Sequence, residues 1–259
     1  MRSYLNLRQI ALAAPELQPA EDAVRAVFGV EVCHRDPAVG KYGLENALFV
    51  FGHAFLEIVA PTREDTAAGR FIERTRGVGG YMAIFDCDDP LARRARAEQL
   101  GVRIAHVLDY PGFVGSQFHP RDCRATMLEF DHSDGGEDLD GPYWPAGPHW
   151  RDAQRLDRVQ GIPLLEVEGP DPAGLAAHWS SLMDVPVRDD AGRPRLDFDL
   201  GAVRFASAPA GTAEHLATAW VQVADPAAVL EAAARHGLPA DGAGFRLAGM
   251  RFVPVASAP

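Results

Sequence analysis

A strand that runs into Asp-Pro and on into a helix occurs twice in this chain, at comparable places in its two halves. Residues 82–90 (MAIFDCDDP) and 218–226 (TAWVQVADP) align without gaps, and so do residues 55–61 (FLEIVAP) and 203–209 (VRFASAP). Internal repetition constrains a fold more than any local propensity, because each copy must adopt the same supersecondary unit. The joint itself has a mechanism: an Asp side chain caps the helix, and a proline fits its first turn, where no N–H partner is needed.

Hydrophobic periodicity then marks out the unit. Residues 7–14 predict a strand and 19–28 a helix that Gly29 ends; residues 30–35, 47–51 and 54–60 predict three strands, with Gly52-His53 as a hairpin turn. A helix over 66–75 bridges to Gly79-Gly80. The pattern restarts with a strand over 81–87, a helix from 90 to 100 stopped by Gly101, and strands over 102–108, 116–119 and 125–131. Residues 133–158 break the pattern with Gly, Asp and Pro; they predict a linker whose aromatic residues, around Tyr143, Trp144 and Trp150, pack it onto the body. Strands over 162–167, 195–200, 203–207, 218–223, 245–247 and 250–255, with helices over 172–183 and 226–236, complete the chain. The expectation is an α+β fold of four βαβββ modules in two pairs. The expected domains are residues 1–132 (modules 5–62 and 79–132) and 159–259 (modules 159–209 and 215–256), joined by the linker 133–158. An open sheet has edges to cover, so modules should pair, and a pair of curved sheets encloses a cleft suited to a small ligand.

A formal net charge of -11 argues against a nucleic-acid groove and against electrostatic docking on anionic membrane. A small molecule is the expected partner, with the chain a monomer or homodimer, because tandem modules can complete a site within one chain. Cys33, Cys87 and Cys123 are odd in number and widely spaced, which reads as free thiols in a reducing compartment. With no signal-peptide apolar region after Met1, the expected location is cytoplasmic. Asp86, Asp88 and Asp89 read as charges at a helix start, and Arg93, Arg94 and Arg96 as a solvated helix face. His53 reads as a solvated hairpin-turn residue, and His132 and His149 flank the linker with no partner at metal-ligand spacing.

The stretch with most chemistry is residues 117–130 (QFHPRDCRATMLEF), where a His-Pro turn precedes a strand holding one carboxylate, Glu129, among apolar neighbours. A glutamate is rarely buried unpartnered, so Glu129 faces either solvent or a cleft.

Four βαβββ modules with these motifs resemble the vicinal oxygen chelate superfamily. That superfamily includes glyoxalase I, methylmalonyl-CoA epimerase, extradiol dioxygenases, and bleomycin- and fosfomycin-resistance proteins. The match rests on Leu7-Arg8-Gln9-Ile10-Ala11-Leu12, Phe55-Leu56-Glu57-Ile58, and Phe118-His119-Pro120-Arg121-Asp122 with Met127-Leu128-Glu129-Phe130. By that resemblance, a metal site would draw on Gln9, Glu57, Met82 and Glu129, with Gln9, Glu57 and Glu129 as oxygen ligands. The intervals 57 − 9 = 48 and 129 − 82 = 47 are consistent with this. The ion would be Mg²⁺, Mn²⁺, Co²⁺, Ni²⁺ or Zn²⁺, and Glu129 or Glu57 would be the catalytic base. Met82 departs from the family, since a thioether suits neither Mg²⁺ nor Zn²⁺. Met82 and His119 are the expected substrate-binding residues, although His119 could equally lock its own turn. Besides a degenerate module kept as an interaction scaffold, two functions stay open. One is a metal-assisted lyase or isomerase acting on a small oxygenated metabolite. The other is a metal-free protein that sequesters a small molecule, as bleomycin-resistance proteins do. The equivalent positions in the second half, Gly161, Phe205, Thr218 and Phe252, are poor ligands. That argues against an extradiol dioxygenase.

Overall fold

The computed structural model describes residues 3–209 and 211–256. The first half runs β1 (Leu5–Ala13), α1 (Leu17–Phe28), β2 (Val32–His34), β3 (Leu44–Phe51), β4 (Ala54–Pro61), α2 (Ala67–Thr75), β5 (Met82–Cys87), α3 (Pro90–Gln99), β6 (Ile104–Tyr110), β7 (Phe113–Phe118), α4 (Pro120–Cys123) and β8 (Met127–Ser133). The second runs β9 (Val159–Gly169), α5 (Pro172–Met183), β10 (Arg188–Asp190), β11 (Arg193–Asp197), β12 (Ala202–Ser207), β13 (His215–Val223), α6 (Pro226–Arg235), β14 (Ala240–Asp241), β15 (Gly244–Leu247) and β16 (Met250–Ala256). A 3-10 turn over Pro37–Tyr42 and the short helix α4 are additions to the elements expected from sequence.

The strands form two eight-stranded sheets, ordered β2-β3-β4-β1-β5-β8-β7-β6 and β10-β11-β12-β9-β13-β16-β15-β14. All four modules repeat one scheme. The first strand lies parallel to the last, as β1 with β4, β5 with β8, β9 with β12 and β13 with β16. The other pairings within each module are antiparallel. A parallel pair cannot be joined by a tight turn, so each module carries a helix directly after its first strand. Three of those helices start as the sequence indicates: Asp89, Asp171 and Asp225 accept from the backbone N–H groups of Ala92, Gly174 and Ala228, with a proline in each first turn. The fold class is therefore α+β, with four βαβββ modules.

Backbone contacts divide the chain into two compact units. One comprises residues 9–81, 145–163 and 218–259. In it α1 packs against α6, and Phe28 meets Phe51, Phe245 and Phe252 at ring centroid distances of 4.9, 5.9 and 6.0 Å. Trp150 stands edge-on to Phe55 at 5.3 Å, so this part of the linker is anchored by an aromatic contact. The β3–β4 turn is also fixed here. Gly52 has φ +65°, and a Cβ at that position would lie 1.9 Å from the Gln160 carbonyl oxygen, so only glycine fits.

The other unit comprises residues 1–8, 82–144 and 164–217. Its α3 packs against α5, and here the structure corrects the reading of the arginines. Arg93 Nη1 donates to the Met183 carbonyl at 2.5 Å and Arg96 Nε to the Ser181 carbonyl at 2.5 Å, while Arg96 also pairs with Asp184 at 2.9 Å. Arg94 Nε donates to Ser116 Oγ at 2.6 Å. These side chains bind the C-terminal end of α5, whose carbonyls lack helical partners, and the sheet beneath α3. Trp179 is wholly buried, lies edge-on to Phe205 at 5.5 Å, and donates Nε1 to the Cys123 carbonyl at 2.8 Å. Trp144 stacks on Tyr110 and Phe113, completing the aromatic anchoring of the linker.

All three cysteines are free thiols. Burial pushes Cys33 and Cys123 up to about 12, so neither carries thiolate character. Among the described residues no helix is long and apolar enough to cross a membrane.

Candidate functional site

Strands β1 and β4 run parallel, with Gln9 opposite Phe55 and Ala11 opposite Glu57. This register brings Gln9 and Glu57 into contact: Gln9 Nε2 donates to Glu57 Oε2 at 2.9 Å. A third residue joins from β3, where Asn46 Nδ2 donates to Glu57 Oε1 at 2.7 Å. Asn46 in turn accepts from the backbone N–H of Asp36 through Oδ1 at 2.9 Å. Each oxygen of the Glu57 carboxylate thus takes one amide N–H, and the group is buried, Glu57 at 8% exposure and Gln9 at 3%. Burial pushes the Glu57 carboxyl upward; the Asn46 and Gln9 hydrogen bonds oppose this, and the Asp36 charge adds to it. Nearby Tyr81 is pushed up to about 12, by burial first and then by the charge of Glu57.

The orientation of Gln9 follows from this arrangement. A carboxylate only accepts, so the Gln9 amide nitrogen must face Glu57 and Oε1 must face away. Among the described residues Gln9 Oε1 has no hydrogen-bond partner, although it is buried. The group therefore offers one unsatisfied acceptor to an incoming ligand.

Met82 and Glu129 belong to the other unit. Glu129 lies opposite Ile84 on β5 and Gln117 on β7, and Gln117 Nε2 donates to its Oε2 at 2.8 Å. Glu129 does not face solvent: it is buried, at 4% exposure. Met82 is buried opposite Met127. His119 sits at the start of α4, where Nδ1 accepts from the backbone N–H of Arg121 at 3.3 Å and lies 3.3 Å from Arg103 Nη2.

The structure also shows a polar group that the sequence did not reveal, in the same unit as Glu129. A cavity of about 350 Å³ is lined by Tyr4, Asn6, Asp88, His132, Glu137, Leu139 and Asp199. The Tyr4 hydroxyl donates to Asp86 Oδ1 at 3.3 Å and lies 2.9 Å from His132 Nδ1. Asp86, expected as a helix-start charge, is instead a buried strand residue with its carboxyl pushed up to about 6. Burial is the main cause, opposed by Arg8, His132, Tyr4 and Asn6. Arg8 is buried, donates to the Leu139 carbonyl at 2.7 Å and lies 5.2 Å from the Tyr143 ring centroid. Asp131, opposite Asp86 on β8, is pushed well above the usual carboxylate range by burial and by the charges of Glu129 and Asp86. A tyrosine at the foot of β1, an aspartate on β5 and a histidine near the end of β8 carry no local signature of this contact.

Within either unit alone the donor set for a divalent ion is short, with Gln9 and Glu57 in one and Glu129 and Met82 in the other. Both Glu57 oxygens and one Glu129 oxygen already accept from amide nitrogens, and the Met82 thioether is a soft donor. Among the described residues no three His, Cys, Asp or Glu side chains are placed to hold a metal.

Comparison with known proteins agrees with the architecture. The family described as "Glyoxalase-like domain" matches residues 10–183. The Mn(II)-bound glyoxalase from Novosphingobium aromaticivorans shares 14% identity, with a TM-score of 0.66 over 98% of this chain and 83% of that one. A Streptomyces coelicolor methylmalonyl-CoA epimerase in complex with 2-nitronate-propionyl-CoA shares 25% identity, with a TM-score of 0.45 over 51% of this chain and 99% of that one. The Mycobacterium tuberculosis methylmalonyl-CoA epimerase shares 20%, with a TM-score of 0.43 over 50% and 87%. No curated protein matches. With the four-module fold and a family match over most of its length, this chain belongs to the glyoxalase-like domain family of the vicinal oxygen chelate superfamily.

Proposed function

We propose that this protein binds a small oxygenated metabolite at the Gln9–Asn46–Glu57 group, and that it does so without a divalent ion. One observation carries the reading: both Glu57 oxygens are engaged by amide N–H groups, while the buried Gln9 Oε1 is left as an acceptor. Among the described residues no group of three His, Cys, Asp or Glu side chains forms around this carboxylate to hold a cation. An amide oxygen beside the carboxylate suits a ligand hydroxyl or N–H, which would satisfy the one acceptor the site leaves open. This is the sequestering mode of the superfamily.

The competing reading is a metal-assisted lyase or isomerase in which Glu57 or Glu129 is the base, as the Mn(II)-bound glyoxalase and the epimerases suggest by likeness of fold. A thermal-shift screen separates the two. Hydroxy acids, diols and 2-oxo aldehydes would be tested with chelator present, against wild type and Glu57→Gln. In the variant, the new amide nitrogen would take the Gln9 oxygen as its acceptor, so Gln9 would turn its nitrogen towards the ligand. A hydroxyl-bearing compound should therefore stabilise wild type, and Glu57→Gln should shift the preference towards acceptor-only compounds such as the 2-oxo aldehydes, because the open position then presents a donor. Stabilisation only with metal present, accompanied by turnover of a hemithioacetal or a 2-methyl thioester, would favour the enzyme instead.

A further inference from the structure

We propose that Asn46 is a positioning residue for Glu57, held in that role by the turn that begins at Asp36. The inference rests on reading the Glu57 group as the ligand site and adds the residue that sets its state.

The orientation of Asn46 is determined by chemistry. The backbone N–H of Asp36 can only donate, so Oδ1 of Asn46 must face it, at 2.9 Å. The amide nitrogen is thereby directed at Glu57 Oε1, at 2.7 Å. Unlike Gln9, whose oxygen has no partner among the described residues, Asn46 cannot turn over without losing a bond at each end. It presents a donor to Glu57 whatever the protonation of that carboxyl. The backbone around it is held as well. Arg35 Nη1 donates to the Asn46 carbonyl at 3.3 Å, and Arg35 Nη2 donates to Glu21 Oε2 at 2.6 Å, a buried carboxylate of α1. Asp36 accepts from the Ala38 N–H at 2.8 Å, closing the 3-10 turn. A hydrogen-bonded line thus runs from α1 through Arg35 and Asn46 to Glu57 and Gln9, within one unit of the chain. The contrast between the two amides divides their work: Asn46 is fixed and stabilises the charged carboxylate, whereas Gln9 has a free oxygen for the ligand.

The test is a carboxyl-carbon NMR titration of Glu57, with its signal assigned by its loss in Glu57→Gln. The other titratable groups near this carboxyl include Asp36 and Tyr81, with Arg35 and Glu21 behind Asn46; Asn46→Asp, which keeps the acceptor for the Asp36 N–H, controls for movement of Asp36. In Asn46→Ala, loss of one donor to a charged group should raise the Glu57 midpoint by about one to two pH units. Asn46→Asp keeps an acceptor for the Asp36 N–H and supplies the second variant if Asn46→Ala does not fold. There two carboxyls would face each other and titrate in two separated steps. An unchanged Glu57 midpoint in the variants that fold would overturn the proposal, even with lowered stability, because a purely structural Asn46 would not move it. Failure of the metabolite screen with these shifts present would instead count against the binding function alone.

Discussion

Glu57 can be removed in two ways, and the hydrogen-bond pattern predicts very different outcomes. Glu57→Ala leaves the amide nitrogens of Gln9 and Asn46 without their acceptor. Each buried donor left unsatisfied costs about 1–3 kcal/mol, so the loss should total roughly 3–5 kcal/mol. For a chain of this size 1 kcal/mol moves Tm by about 2–4 °C, which places the variant roughly 10 °C below wild type. Glu57→Gln retains an oxygen for Asn46, and its nitrogen can use the Gln9 oxygen once Gln9 turns. Gln9 then leaves its buried nitrogen rather than its oxygen without a partner, so the number of unsatisfied groups there is unchanged while a buried charge is gone, and stability at neutral pH should match wild type to within about 1 kcal/mol or exceed it. The pH dependence has a definite sign. The folded carboxyl holds its proton more tightly than the unfolded one, so charging it costs stability as pH rises above the unfolded value. Glu57→Gln lacks that cost and should gain on wild type from acid to neutral pH. Urea unfolding monitored by circular dichroism at pH 4 and pH 7 measures both effects. Equal losses in Glu57→Ala and Glu57→Gln would refute the reasoning.

Asp86, pushed up to about 6 from 3.8, should cost wild type on the order of 3 kcal/mol between pH 4 and pH 7. Asp86→Asn should remove most of that decline in urea midpoints, and an undiminished slope would assign it elsewhere. Gly52→Ala places a Cβ against the Gln160 carbonyl at positive φ and should cost more than about 3 kcal/mol by the same assay. A loss below about 1 kcal/mol would show that the β3–β4 turn moves freely. Trp179→Phe gives up the bond to the Cys123 carbonyl and part of the packing on Phe205, for about 2–3 kcal/mol, which equilibrium unfolding would register.

The repeat made the fold legible, because Asp-Pro helix starts and paired strands are local signals that recur at fixed intervals. β10 and the two-residue β14 were invisible, since two or three polar residues carry no periodicity. The arginines of α3 looked solvated because their partners, the Ser181 and Met183 carbonyls, lie far along the chain, and sequence shows charge but not destination. Asp86 was misread for a related reason: it stands two residues before Asp88-Asp89-Pro90, which has the composition of a cap, yet its side chain lies in the sheet beside Tyr4. At the candidate site, Gln9 and Glu57 stand on the two strands that every module pairs in parallel, so their meeting follows from the repeat. Asn46 does not. It lies at the head of β3, among residues that alternate poorly, and its importance depends on a backbone N–H ten residues earlier. The strand pattern conveys that a residue is buried; which of two amides is fixed and which is free depends on partners that only the folded chain supplies.

Whether the Glu57 group works without a metal decides between the two functions. The most direct measurement is calorimetric titration of the strongest hydroxyl-bearing ligand from the screen into protein stripped with chelator, with metal content determined on the same sample. The account predicts saturable binding with metal far below one ion per chain, and an affinity unchanged when Mn²⁺ or Mg²⁺ is restored. Binding that vanishes in the stripped protein and returns with one ion per chain would contradict it.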